Sequence, residues 1–205
     1  MPQLKLTYFD IAGRAEPIRL ALRISGIPFV DHRLKFPEFG EAKAAGALPL
    51  GAVPVLEVDG VTIAQTGAIL RYVAHLGDGS LYPTDPWAAL VVDSVLDSFN
   101  DTLSHALMPS MFERDMAKKL AMRAEIAAGP MARVFAYTER LLQGSGGPFV
   151  AGAALSIADL VVAQQVRQIQ SGTLDGLGAA HLEPYPGLVA LTAAFLAEPR
   201  IAALG

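Results

Sequence analysis

Strand and helix signals alternate through the first third of the chain, and their order leaves few folds open. Leu4–Phe9 is a short run with β-branched and aromatic content, the mark of a strand. Glu16–Ser25 places Ile18, Ala21, Leu22 and Ser25 at helical spacing, and Gly26 supplies a stop. Phe29–Arg33 reads as a second strand. Strand, helix and strand within about thirty residues imply parallel strands joined by a right-handed crossover. Val53-Pro54-Val55-Leu56-Glu57-Val58 and Val61–Ala64 then flank Asp59-Gly60, a strong hairpin signal. Thr66–Leu76 returns to helix, with Ile69, Tyr72, Val73 and Leu76 on one stripe.

That order, β-α-β-(α)-β-β-α with a proline opening the third strand, is the thioredoxin-like pattern. Gly77–Pro86, with two glycines and two prolines, reads as a linker. Beyond it strand signals vanish. Trp87–His105, Asp115–Gln143, Ser156–Ile169 and Pro186–Leu196 are helical by pattern, and Gly129-Pro130 is expected to kink or divide the second. Ser156-Ile-Ala-Asp159 has the shape of a capping box, with Asp for the usual Glu. The expected organisation is an α/β unit over 1–76, a linker over 77–86 and an all-helical bundle over 87–205.

Composition removes whole classes of function. The chain has no cysteine, which excludes disulfides, thiolate metal sites and cysteine nucleophiles. A net charge of -4 without any basic run argues against nucleic acid. Hydrophobic residues reach 52%, but 34 of the 205 residues are alanine, and no stretch approaches the ~20 apolar residues of a membrane span. Met1–Asp10 lacks the basic start and apolar core of a signal peptide, so a soluble cytoplasmic protein is expected. The four histidines lack zinc-helix spacing. Asp93, Asp97 and Asp101 recur at four-residue intervals, but such a row is more often a solvated or ion-paired face than a metal site, so no metal is expected. Alanine content and the excess of Arg over Lys hint at a GC-rich bacterial source.

Four motifs in order carry a sharper reading. Tyr8-Phe9-x-x-x-Gly13-Arg14-x-Glu16-x-x-Arg19, Leu48-Pro49-Leu50-Gly51-Ala52-Val53-Pro54, Gln65-Thr66-x-Ala68-Ile69 and Phe149-Val150-x-Gly152-x-x-Leu155-Ser156-x-Ala158-Asp159 together resemble the cytosolic glutathione transferases. The first and third are similar to the tyrosine-type branch of alpha, mu, pi and sigma classes. The resemblance runs from Leu4 to about Leu196.

It implies a homodimeric enzyme that binds glutathione as co-substrate and presents its thiolate to a small hydrophobic electrophile. The thiolate is the reactive form, so the protein's task is to lower a thiol pKa. Tyr8 is the implied donor to the sulfur; read locally, it is more often a strand aromatic of the core. Arg14 is implied to support the thiolate, against an ordinary exposed first-turn arginine. The resemblance puts the γ-glutamyl carboxylate at Thr66 with Gln65 beside it; the local reading is an N-cap threonine, and both can hold. Val53, before a cis Pro54, would present its backbone to the cysteinyl unit. Lys43 would meet the glycine carboxylate or else be a solvated helix lysine. Asp101 would reach the γ-glutamyl ammonium bound by a partner subunit. Glu16 and Arg19 read as structural ion pairs.

Phe9, Ile11, Ala12, His105, Met108, Met111 and Phe112 are the candidate electrophile contacts, with plain core packing the alternative for Met108, Met111 and Phe112. Two departures from the family pattern stand out. The sigma-class tryptophan after strand two is absent, with Phe36, Phe39 and Glu41 in its region, and Leu50 occupies the place of the aromatic interface key. A glutathione-dependent isomerase or peroxidase would use the same thiolate. A non-catalytic ligand carrier or structural copy would have no need of Tyr8, Arg14, Gln65 and Thr66.

Overall fold

β1 (Leu4–Phe9) runs parallel to β2 (Val30–Leu34) and antiparallel to β3 (Val55–Val58), which turns back into β4 (Val61–Ala64), giving the order β2-β1-β3-β4. This is a computed structural model, and it describes residues 1–204. The β3–β4 turn forms as its residue types require. Asp59 and Gly60 have φ of 48° and 88°, the two positive values of a type I′ loop. Asp59 also ties the turn to β1: its Oδ1 accepts from the Gln3 N–H at 2.8 Å and its own N–H donates to the Gln3 carbonyl at 3.0 Å.

α1 (Glu16–Ile24) crosses between the parallel strands, and α3 (Thr66–Leu76) packs beside it, while α2 (Phe36–Ala44) buries no residue. Leu4, Leu6 and Tyr8 alternate along β1 and are buried, as the period of a strand places them on one face. The buried stripe of α3 is Thr66, Ile69, Leu70, Val73 and Ala74, rotated from the expected one. Tyr72 is exposed and joins Leu56, Val58, Val61, Ile63 and Ala68 around an open apolar hollow. α3 has apolar residues on more than one face, so spacing alone did not choose the inward one.

The chain divides into Met1–Gly79 and Ser80–Gly205, so the second half of the Gly77–Pro86 stretch belongs with the helices. Leu81 is buried there, and its carbonyl accepts from the Ile157 N–H at 3.0 Å. α4 (Pro86–Asp97) starts at an Asp85 cap whose Oδ1 accepts from the Ala88 N–H. Instead of stopping near His105 it passes through a π segment, Ser98–Leu103, into α5 (Ser104–Phe112). α6 (Met116–Ile126) likewise passes through a π segment, Ala127–Met131, into α7 (Ala132–Gly144). Gly129-Pro130 sits inside that second segment, so the expected interruption takes the form of a wider turn rather than a break. α8 (Ile157–Gln170) is the most buried helix of the second unit, packed by α4 and α9 (Pro186–Ala197), and the short α10 (Pro199–Ala202) follows.

Candidate active site

The β1–α1 loop is built around one phenol. Tyr8 is 6% exposed, and its Oη accepts the Arg14 N–H at 3.2 Å. The phenolic proton donates to no described residue. Gly13 has φ of 43°, and a Cβ built there stands 2.6 Å from Tyr8 Oη, so only glycine lets the loop close on the hydroxyl. The ring is packed inward, as a core aromatic is, while the oxygen meets a loop at the carboxyl end of the strand, where ligand sites of α/β sheets gather.

Arg19 does more than the ion pairs read from the sequence. Fully buried, it bonds Asp31 at 3.1 Å and Glu16 at 3.3 Å. It also donates to the carbonyls of Phe9, Ile11 and Ala12. Its guanidinium carbon stands 5.9 Å from the Tyr8 ring centroid. One side chain thus gathers carbonyls from the end of β1 and the loop that follows it. Arg14, by contrast, is half-buried, its Nε is shut from solvent without a hydrogen-bond partner, and it forms no ion pair with a described residue.

A second cluster lies at the start of α3. Gln65 has φ of 83°, rare for a residue with a side chain, and occupies the N-cap position without a side-chain cap bond. Such conformations cost ~1–3 kcal/mol and gather at functional sites. Thr66 follows as the first helical residue, 3% exposed, with its Oγ1 buried and unpartnered. The N-cap reading of Thr66 is therefore incorrect: it does not cap, and the first-turn N–H groups have no side-chain acceptor. A buried hydroxyl and a free helix N-terminus suit a carboxylate.

The Val53-Pro54 peptide is cis, and neither the N–H nor the C=O of Val53 enters a backbone hydrogen bond among the described residues. Pro54 is buried at the head of β3. Lys43 is exposed near the end of α2, and its Cε lies 3.3 Å from where a Gly51 Cβ would be, so its stem crosses the loop leading to Val53. Leu50 is 62% exposed on that loop.

Phe9 is half-buried, stacked on Phe36 at 4.8 Å and tilted on Phe39 at 5.2 Å; Ile11 and Ala12 are exposed. The exposed Phe36 was missed as a contact of Phe9; the signal was an aromatic in the polar run Lys35-Phe36-Pro37-Glu38. In the second unit Met111 and Phe112 are exposed and Met108 is half-buried, so they are not the core fillers that their residue types allowed. His105 is exposed, its Nδ1 donating to the Asp101 carbonyl at 2.8 Å. Asp101 is exposed on the first π segment. The Asp93 carboxylate accepts from Tyr82 Oη at 2.9 Å, and no group of three or more metal-ligating side chains occurs among the described residues.

Both units match family models. Residues 4–75 fit the glutathione S-transferase N-terminal domain and residues 100–204 fit the glutathione S-transferase C-terminal domain. The chain belongs to the glutathione S-transferase family. Glutathione S-transferase 1 of Ascaris suum is 34% identical over 188 residues, covering 89% of this chain and 87% of that protein. The solved glutathione S-transferase of Ascaris lumbricoides is 31% identical with a TM-score of 0.82, over 98% of this chain and 95% of that one. The hematopoietic prostaglandin D synthase of Gallus gallus is 41% identical over 101 residues, 49% of each protein. Glutathione S-transferases are transferases with glutathione as co-substrate, built as a thioredoxin-like unit followed by a helical one, and this chain has both units. These relatives are animal proteins, so they lend no support to a bacterial source. Alanine and arginine content follows the base composition of a gene, which no kingdom owns.

Proposed function

We propose that this glutathione S-transferase belongs to the tyrosine-type branch and uses the Tyr8 hydroxyl to hold the glutathione sulfur as a thiolate. The observation that carries the reading is the phenol itself: its oxygen accepts the Arg14 N–H, and its proton is left to donate. A phenol of pKa ~10 keeps that proton at neutral pH. The accepted N–H draws charge from the oxygen and makes the O–H a stronger donor. A charge-assisted hydrogen bond of roughly 1.5–3 kcal/mol lowers a thiol pKa of ~8.5 by about one to two units, to about 6.5–7.5, so that a substantial fraction is thiolate near pH 7. The Arg14 cation adds to that stabilisation. The thiolate sulfur then forms a bond to an electrophilic carbon as the leaving group departs with its electron pair.

The remaining glutathione contacts follow from the unused polar groups. Thr66 Oγ1 and the first-turn N–H groups of α3 take the γ-glutamyl carboxylate, with Gln65 beside it. Val53 pairs its backbone with the cysteinyl unit, Pro54 shaping the approach. Lys43 faces the glycine carboxylate as a point charge. The electrophile contacts are Phe9, Ile11 and Ala12 from the first unit and His105, Met108, Met111 and Phe112 from the second. A homodimer, supported by the exposed hollow around Tyr72, lets Asp101 of one subunit reach the γ-glutamyl ammonium held by its partner. Cytoplasmic location is proposed on family type; among the described residues no helix is long and apolar enough to cross a membrane.

Tyr8→Phe tests the assignment. At neutral pH it should lower kcat/KM toward an aryl chloride by about 10- to 100-fold, with glutathione KM changed less than about threefold. The loss should shrink as pH rises toward the free thiol's own pKa. Undiminished turnover with intact glutathione binding refutes the role. The prostaglandin synthase match favours a second reading, a glutathione-dependent isomerase on the same thiolate. Product analysis with an endoperoxide substrate separates the two.

A further inference from the structure

We infer that Arg123, on α6, is a positioning residue that sets the electrophile preference of this enzyme by holding the last turn of α5. The inference rests on the proposed reading of Met108, Met111 and Phe112 as electrophile contacts. α5 carries Pro109 in its interior, which has no N–H for the carbonyl of His105, so the turn beyond it is weakly tied to the rest of the helix. The helix ends at Phe112, where Glu113 turns extended. The segment that carries Met111 and Phe112 therefore needs support from outside.

Arg123 supplies it. Its side chain is 3% exposed, and the guanidinium points three donors in three directions. Nε donates to Ser110 Oγ at 3.2 Å, and that hydroxyl passes its own proton to the Leu107 carbonyl at 2.8 Å. Nη2 donates to the Met111 sulfur at 3.5 Å. Nη1 donates to the Asp175 carbonyl at 2.9 Å and stands 3.6 Å from the Asp175 carboxylate. Asp175 is drawn in from the same side by Lys119 at 3.5 Å, and Gly176 lies so close to α6 that a Cβ there would be 2.8 Å from Leu120. One side chain thus joins the end of α5, α6 and the loop after α8.

The arrangement fits arginine and not lysine, because an ammonium is a single point and cannot span three acceptors. It also fixes the thioether of Met111, whose three rotatable bonds otherwise let it adapt to many ligands. A held methionine makes a shaped wall, and a loosened one makes an indifferent wall. None of Arg123's partners is among the proposed glutathione contacts, so the effect is expected on the second substrate.

Arg123→Lys, assayed with an aryl chloride and glutathione, should raise the electrophile KM by about tenfold and leave the glutathione KM within about twofold. Hydrogen exchange should quicken at residues 110–112 more than elsewhere in the helices. Met111→Ala and Phe112→Ala, measured alongside, check the reading beneath. If neither moves the electrophile KM, α5 is not an electrophile wall and that reading fails. If they do and Arg123→Lys does not, or if it raises both KM values equally, the positioning role is overturned. Should Arg123→Lys fail to fold, Ser110→Ala removes its side-chain partner on α5. That variant should raise the electrophile KM about threefold, and an unchanged KM overturns the proposal.

Discussion

The two units differ in which buried groups they leave without partners. In the helical unit the buried carboxylates are saturated. Asp159, with no exposure, accepts from the Val150 N–H at 3.0 Å, the Ser156 N–H at 2.8 Å and Ser156 Oγ at 2.6 Å. Glu139 accepts the Gly187 and Leu188 N–H groups at 2.8 and 3.1 Å, so one helix caps the start of another. In the thioredoxin-like unit Thr66 Oγ1 and Arg14 Nε are buried and unpartnered, beside the strained Gln65. The helical unit has unpartnered atoms too, the side-chain amide nitrogens of Asn100 and Gln165, but neither belongs to a charged group. Saturated groups hold elements together and have nothing left to offer. Groups kept short of partners make a scaffold less stable and leave it ready to bind.

The largest effect that separates these roles is Asp159→Ala. It strips acceptors from two buried N–H groups and should cost about 3–5 kcal/mol in urea unfolding, with kcat per folded molecule little changed. A loss under ~1 kcal/mol would mean that the cap is not structural. The same carboxyl gives a pH signature. Burial pushes its pKa up from 3.8 to about 6, so the folded state binds a proton that the unfolded state has released. Its contribution is then complete below about pH 4 and falls by up to ~3 kcal/mol as pH rises to about 6 and just beyond. Stability of the native protein relative to Asp159→Asn, which cannot ionise, should decline across that window and level off above it. A rise there contradicts the assignment.

Smaller effects are expected on the first unit. Gly13→Ala adds a Cβ that collides with Tyr8 Oη in a left-handed conformation costing ~1–2 kcal/mol. Turnover at saturating glutathione should fall at least about tenfold while melting shifts only modestly. Normal turnover would show that the loop does not govern the phenol. Thr66→Val replaces an unpartnered hydroxyl with a methyl of similar size. Stability should hold or rise by up to ~1 kcal/mol, whereas glutathione KM should rise about five- to tenfold. Marked destabilisation would give that hydroxyl a structural duty and erase the contrast between the units.

Legibility followed the range of the interactions. The β-α-β unit, the Asp59-Gly60 hairpin and the capping box at Ser156 all formed where they were read, since each is decided within a few residues. Tyr8 and Arg14 were singled out as a pair by motif, but the N–H bond between them became visible only once the loop was closed by Gly13. The inward stripe of α3, the two π segments and the three-way grip of Arg123 were not legible. Ser98–Leu103 contains no proline or glycine to mark it, and Asp175 is 52 residues from Arg123.

Sequence by itself determined the order of elements, the turn chemistry and the presence of a phenol, a cation and a hydroxyl suited to a thiol tripeptide. These rest on backbone preferences and local hydrogen bonds, which a few neighbouring side chains settle. Tertiary structure alone decided which polar atoms would be satisfied and which left open. That depends on what packs against each atom from distant parts of the chain: Arg19 reaching the loop carbonyls, and nothing within the described chain reaching Thr66 Oγ1.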